Sequence, residues 1–87
     1  MDEQPIAIIP PSELGEETLI IDVRTAEEIE ADPITDALHM ELTEIPQRYT
    51  ELPHDKRLAF ACAANVRSAQ AAAFVQAMGY ENVCIYD

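Results

Sequence analysis

Apolar residues fall along the chain in short runs, and the runs alternate between strand-like and helix-like spacing. Residues 18–23, T-L-I-I-D-V, form an almost continuous aliphatic stretch of the kind buried on both faces of a parallel strand. Residues 58–61, L-A-F-A, predict a second buried strand, and 6–9 (I-A-I-I) and 83–86 (V-C-I-Y) predict two shorter ones. Between strands the spacing changes. Ala71, Phe74, Val75 and Met78 lie at offsets of three, four and seven, one apolar helical face, and Gly79 is a natural stop. Leu42, Ile45, Tyr49 and Leu52 predict a helix over 41–52, with Pro46 in its first turn or at a bend. Thr25 followed three residues later by Glu28 is a capping-box signature, so a short helix is expected over 26–31, ended ahead of Pro33. Pro10 and Pro11 break the chain before a brief helical turn around 13–16, which Ser12 can cap. Residues 33–41 read as a loop and a short extended piece.

Strands alternating with helical segments at this length predict an α/β domain with a mainly parallel central sheet flanked by short helices. Ligands of such sheets bind outside the carboxyl ends of the strands. The 87 residues form one domain, 1–87, with no internal repeat or linker.

Composition narrows the function classes. Seventeen acidic against five basic residues give a net charge of −12, which excludes a phosphate-gripping nucleic-acid binder. A basic protein partner fits that charge, and so does solubility alone. No apolar run approaches the length of a membrane span, no basic amphipathic segment suggests a membrane surface, and the first residues lack the pattern of a secretory signal. With only two cysteines, Cys62 and Cys84, a disulfide framework is not expected; the reading is a reducing, cytoplasmic setting.

The candidate chemistry lies in the turn between the strand ending near residue 61 and the helix that follows. A cysteine leaving a strand just before a helix N-terminus has unpaired N–H groups and the positive dipole end near its sulfur, and both favour thiolate. Ala63, Ala64, Asn65 and Val66 carry no acidic side chain, Arg67 adds a permanent charge, and successive amides of the turn could curl around an anion on the sulfur. The other readings of Cys62 and Cys84 are as small buried hydrophobes, and Cys84 in its apolar strand fits that description. Ser68 reads as a helix cap and loop-shaping residue, since no histidine base follows it. Asp22 interrupts its strand and must find donors, so it is read as bracing neighbouring loops through backbone N–H groups or Arg24. His39 is a base, a ligand, or a structural or exposed residue without a clustered partner.

Four blocks then resemble the rhodanese-like sulfurtransferases, over nearly the whole chain. L-I-I-D-V-R-T-A-E-E-I, residues 19–29, is similar to I-D-V-R-x-x-x-E-(F/Y), with Asp22, Arg24 and Glu28 in the matching places. I-T-D-A-L-H-M, residues 34–40, is similar to I-P-G-A-x-x-I. C-A-A-N-V-R-S-A-Q-A-A, residues 62–72, is similar to C-x-x-G-x-R-S-x-x-A, and G-Y-E-N-V-C-I-Y-D, residues 79–87, to G-(Y/F)-x-(N/K)-V. The resemblance implies a domain whose Cys62 takes a sulfane sulfur, holds it as a persulfide and passes it to a thiol or cyanide-like acceptor. It implies that the amides of Ala63, Ala64, Asn65, Val66, Arg67 and Ser68 cradle that sulfur, and that Asp22 and Arg24 give structural support. No metal or organic cofactor is implied, and the partners are a small sulfur-containing anion such as thiosulfate, a polysulfide, or a partner-protein persulfide.

The chain departs from the pattern in several places. The loop glycine is Asn65, which also tolerates positive φ; the I-P-G-A glycine is Asp36; the aromatic after Glu28 is Ile29; and Pro33 stands where a histidine is frequent. These departures read as drift in packing and turns. The usual C-terminal Gly-Gly and Trp-bearing helix is absent from the sequence, which reads either as a minimal domain or as one whose covering helix comes from a partner or another subunit. Phosphatases of related architecture have one more residue between Cys and Arg, and the four residues between Cys62 and Arg67 form a smaller ring suited to one sulfur. The alternative from another class is a non-catalytic rhodanese-like binding or regulatory module.

Overall fold

A computed structural model describes residues 6–86. Five strands, β1 (Ile8–Ile9), β2 (Thr18–Asp22), β3 (Leu38–His39), β4 (Arg57–Ala61) and β5 (Val83–Tyr86), form one sheet in the order β1-β5-β4-β2-β3, and every pairing is parallel. Three helices connect them: α1 (Ala26–Ala31), α2 (Ile45–Arg48) and α3 (Val66–Ala77). The α/β class and the parallel sheet thus follow the hydrophobic pattern. No helix among the described residues is long and apolar enough to cross a membrane.

Register fixes where the core sits. Leu19 lies opposite Leu58, Ile21 opposite Phe60, and Phe60 opposite Ile85, so these side chains share one face by the two-residue period of a strand. Ala71, Ala72 and Val75 of α3, with Ile45 and Leu52 from the 41–52 segment, close that face into one buried cluster. Phe74 joins its edge against Tyr49, ring centroids 5.6 Å apart and nearly perpendicular.

Several local expectations shift. The strand forecast for 6–9 contracts to Ile8–Ile9, and the 41–52 helix is only one α-helical turn, α2, flanked by 3₁₀ turns at Leu42–Glu44 and Tyr49–Glu51, with Pro46 in the first turn. The turn expected at 13–16 forms at Pro11–Glu13 and carries no side-chain cap, so Ser12 lies inside it. Met78, assigned to the apolar face of α3, is 44% exposed because it is the C-cap, where the chain leaves the helix axis. There the Gly79 N–H donates to the Gln76 carbonyl and the Tyr80 N–H to the Val75 carbonyl, the paired bonds of a Schellman stop, with Gly79 at φ 104°.

The capping box at α1 forms as expected. The Thr25 hydroxyl accepts from the Glu28 N–H at 3.3 Å, and the Glu28 carboxylate accepts from the Thr25 N–H at 3.1 Å. Thr25→Ala should therefore cost about 1 kcal/mol, read as a lowered denaturant midpoint at unchanged slope.

Candidate functional site

The central strand β4 ends at Ala61 and delivers Cys62 to the carboxyl edge of the sheet. The turn between β4 and α3 is short. Asn65 closes it in the left-handed conformation, φ 61° and ψ 9°, a region Asn enters more readily than most residues. Asp36, which replaces the other expected glycine, has φ 63°. Both substituted positions therefore stand in the left-handed region.

Helix α3 starts at Val66, so Arg67 and Ser68 lie in its first turn, where N–H groups have no helical partner. The sulfur of Cys62 takes up these donors. The Ser68 N–H points to Sγ at 3.2 Å, and the Ser68 hydroxyl lies 3.2 Å from the same atom, donating to it when the sulfur is a thiolate. Ser68, expected to cap the helix, is fully buried at the third helical position and serves the sulfur instead. Partial burial pushes the Cys62 thiol up, but hydrogen bonds from the Ser68 hydroxyl and the Ser68, Ala64 and Arg67 amides outweigh it, and its pKa lies below the ordinary thiol value. Cys84 is the contrast: burial in β5 raises its pKa despite Arg57. Both cysteines are free.

The lowered thiol sets a pH dependence. Cys62 chemistry needs the thiolate, so the rate rises with pH through a midpoint below that of a free thiol and falls as pH drops through it. Removing the hydroxyl in Ser68→Ala should move that midpoint up. A charge-assisted hydrogen bond is worth about 1.5 kcal/mol, so at any pH below the midpoint the thiolate population falls about tenfold. Increased intrinsic nucleophilicity offsets about threefold of this, leaving attack on a disulfide probe roughly threefold slower. Thiolate absorbance against pH measures the first effect and the rate with the disulfide probe the second.

Arg67 does something the sequence did not show. Its guanidinium makes a two-pronged ion pair with Glu28 of α1, Nη1 to Oε1 at 2.6 Å and Nη2 to Oε2 at 2.8 Å. The hydrogen bonds from Arg67, with those from the Thr25 N–H and hydroxyl, hold the Glu28 carboxyl down at about 2. The permanent charge assigned to the cradle is thus shared with a residue 39 positions away, and Arg67 reaches the sulfur through its amide and, at longer range, through that charge. Glu28 was legible as a cap residue and as part of a motif. Its pairing with α3 is long-range and leaves no local signal.

Asp22 and Arg24 lie at the end of β2, beside β4. Arg24 donates to the Asp22 carboxylate through its N–H at 3.1 Å, Nε at 3.0 Å and NH2 at 2.8 Å, and NH2 also reaches the Asp32 carbonyl at 2.7 Å. Asp22 is 1% and Arg24 6% exposed. Val23 N–H donates to the Ala61 carbonyl, joining this corner to the residue before Cys62. His39, read as base, ligand or structural, donates from Nε2 to the Arg24 carbonyl at 2.9 Å.

The rim of the turn is neutral. Ala63 and Ala64 are exposed and Val66 is 63% exposed. Beside Cys62 and Ala63 lies an open cleft of ≈ 690 Å³, which runs past Ile20, Leu14, Ile34 and Tyr86 and has Arg24 on its wall. Among the described residues no group of three or more His, Cys, Asp or Glu is placed to hold a metal ion.

Comparison with known proteins agrees in fold and sequence. Residues 12–87 match the family model described as a rhodanese-like domain. The chain is 38% identical over 68 residues to a protein of Allochromatium vinosum named sulfurtransferase, the match covering 78% of this chain and 64% of that protein. A rhodanese-related protein from Thermoplasma volcanium superposes with a TM-score of 0.82 at 26% identity, over 93% of this chain and 83% of that one. A NAD-dependent persulfide reductase from A. fulgidus gives 0.78 at 30% identity over 94% of this chain, which corresponds to 15% of the reductase.

Proposed function

The chain belongs to the rhodanese-like domain family, and from that premise we propose that it is a sulfurtransferase whose Cys62 carries the sulfur as a persulfide. The observation that supports this most is the set of donors on the Cys62 sulfur: the Ser68 hydroxyl and the amides of Ala64, Arg67 and Ser68 favour the thiolate without any neighbouring base. A thiolate can attack sulfur directly, so no hydroxyl proton has to be removed.

In the first half-reaction the Cys62 thiolate attacks the outer, sulfane sulfur of the donor. The donor's sulfur–sulfur bond breaks, the leaving group departs with the electron pair, and a persulfide forms on Cys62. In the second, a nucleophilic acceptor attacks the outer sulfur of that persulfide and Cys62 leaves as a thiolate. The donors that favour the thiolate therefore assist the second step as a leaving-group effect. Thiosulfate, a polysulfide or a protein persulfide can serve as donor, and a thiol or cyanide as acceptor. Asn65, Ala63 and Val66 shape the mouth, while Asp22 and Arg24 hold the adjoining corner.

The setting that fits two free cysteines is a reducing one such as the cytoplasm, and the net charge of −12 suits a basic protein partner. A phosphatase reading is disfavoured by the Glu28–Arg67 pair, because the guanidinium that would hold a tetrahedral oxyanion is already occupied. Incubation with thiosulfate or inorganic polysulfide, then cyanide, tests the proposal. Thiocyanate released in proportion to protein and lost with Cys62 alkylation is expected. Release that survives alkylation would overturn it.

A further inference from the structure

We propose that Glu28 is a specificity-determining residue: by pairing with Arg67 it withholds the loop's one cation from the incoming donor, so that Cys62 takes sulfur from organic persulfides, R–S–SH, in preference to the dianion thiosulfate. This rests on the sulfurtransferase reading above. Thiosulfate remains a usable donor but a poor one.

Two independent observations carry it. The first is where the positive charge goes. Arg67 is the one cation in the turn 62–68, and both terminal nitrogens of its guanidinium lie on the Glu28 carboxylate. Thr25 fixes that carboxylate through its N–H and hydroxyl, so Glu28 is held in place to receive the arginine. The remaining four cations offer no substitute. Arg24 is bound to Asp22, Arg48 to Glu51 and Glu44, and Lys56 and Arg57 lie at the opposite end of β4. Five extended residues put Arg57 roughly 15 Å from Cys62, beyond the ~8 Å screening length at physiological salt. A dianion approaching this acidic protein thus meets amide dipoles and two guanidiniums, Arg67 and Arg24, each already paired with a carboxylate.

The second observation is the cleft beside Cys62 and Ala63. At ≈ 690 Å³ it is far larger than thiosulfate needs and falls in the size range that holds small organic molecules. Leu14, Ile20, Pro33, Ile34 and Tyr86 give it an apolar stretch beside the polar one formed by Thr18, Arg24, Asp32 and Thr35, so the R group of an organic persulfide has apolar surface to cover there that thiosulfate cannot use.

The step balances without a further reactant. The Cys62 thiolate attacks the outer sulfur of R–S–SH, the S–S bond to that sulfur breaks, RS⁻ leaves with the electron pair, and the new persulfide on Cys62 keeps the proton.

Benzyl persulfide generated in situ and thiosulfate are the two probes, with the rate of sulfur gain on Cys62 read by intact mass at one pH and ionic strength. The unaltered protein should load from benzyl persulfide with a kcat/KM at least about tenfold above thiosulfate. In Glu28→Gln the freed Arg67 should raise kcat/KM for thiosulfate about tenfold, mainly through KM, and leave benzyl persulfide within about twofold. Glu28→Gln combined with Arg67→Gln should cancel the thiosulfate gain. A purely structural role for Glu28 would instead slow both donors together with no fall in the thiosulfate KM, and that result overturns the inference. Should Glu28→Gln fail to fold, the salt dependence of the unaltered protein decides. Thiosulfate loading that speeds up with ionic strength supports a site without a free cation, and loading that slows overturns it. Faster loading from thiosulfate than from benzyl persulfide overturns the inference while leaving the sulfurtransferase reading in place. Loading from neither donor overturns both.

Discussion

Cys62→Ser should lose sulfur transfer by on the order of 10⁴-fold or more while keeping its fold. A serine hydroxyl is not ionised near neutral pH, and the donors around position 62 stabilise an anion without supplying a base to create one. Position 62 is half-buried at the edge of the core, and the change exchanges one small polar atom for another. The Ser68 N–H would keep an acceptor, so the first turn of α3 should still form. Circular dichroism and the denaturant midpoint should match the parent within experimental scatter while donor loading vanishes. Cys84→Ser is the matching control: that thiol is buried in β5, with burial pushing its pKa up, and loading on Cys62 should be unchanged.

Asp22→Ala should carry the largest stability loss of any single change at the corner of β2. The carboxylate is 1% exposed and receives three donors of Arg24, which is itself 6% exposed. Removing it leaves a guanidinium buried with only the Asp32 carbonyl and a distant contact to the exposed Asp32 carboxylate, 4.0 Å away. Breaking one side of such a buried pair costs about 3–5 kcal/mol. For a domain of 87 residues that lowers Tm by on the order of 15 °C or more. Asp22→Asn should cost less, because an amide oxygen can still accept from the Arg24 N–H. Thermal unfolding of the two variants side by side separates the charge from the shape. Equal Tm for Asp22→Ala and the parent would remove Asp22 from the framework of the site.

How much of this was legible in the sequence follows from the range of each interaction. The 18–23 and 58–61 runs, the Thr25–Glu28 box and the Gly79 stop depend on a residue and its near neighbours, and each formed as its pattern implied. The 41–52 segment shows the limit of periodicity. Its apolar spacing placed Ile45 and Leu52 in the core, yet Pro46 and the short connections leave only one α-helical turn. At the site, a cysteine between strand and helix implied donors on the sulfur, and Asn65 implied a left-handed turn. Which donors would reach Sγ depended on where α3 begins. Starting at Val66 puts Ser68 in the third helical position, buried against Cys62, a one-turn detail that residue types alone do not specify. The fate of Arg67 depended on α1 lying against α3, a tertiary fact, and it adds a carboxylate partner to the cation that the turn supplies.

The central claim is that Cys62 carries the transferred sulfur, and the direct measurement is peptide mapping by mass spectrometry after donor loading and trapping of the persulfide. The account predicts one added sulfur on the peptide containing Cys62, none on the peptide containing Cys84, and removal of that sulfur by cyanide. A sulfur found on Cys84, or none on Cys62 with a reactive thiol present, would contradict it.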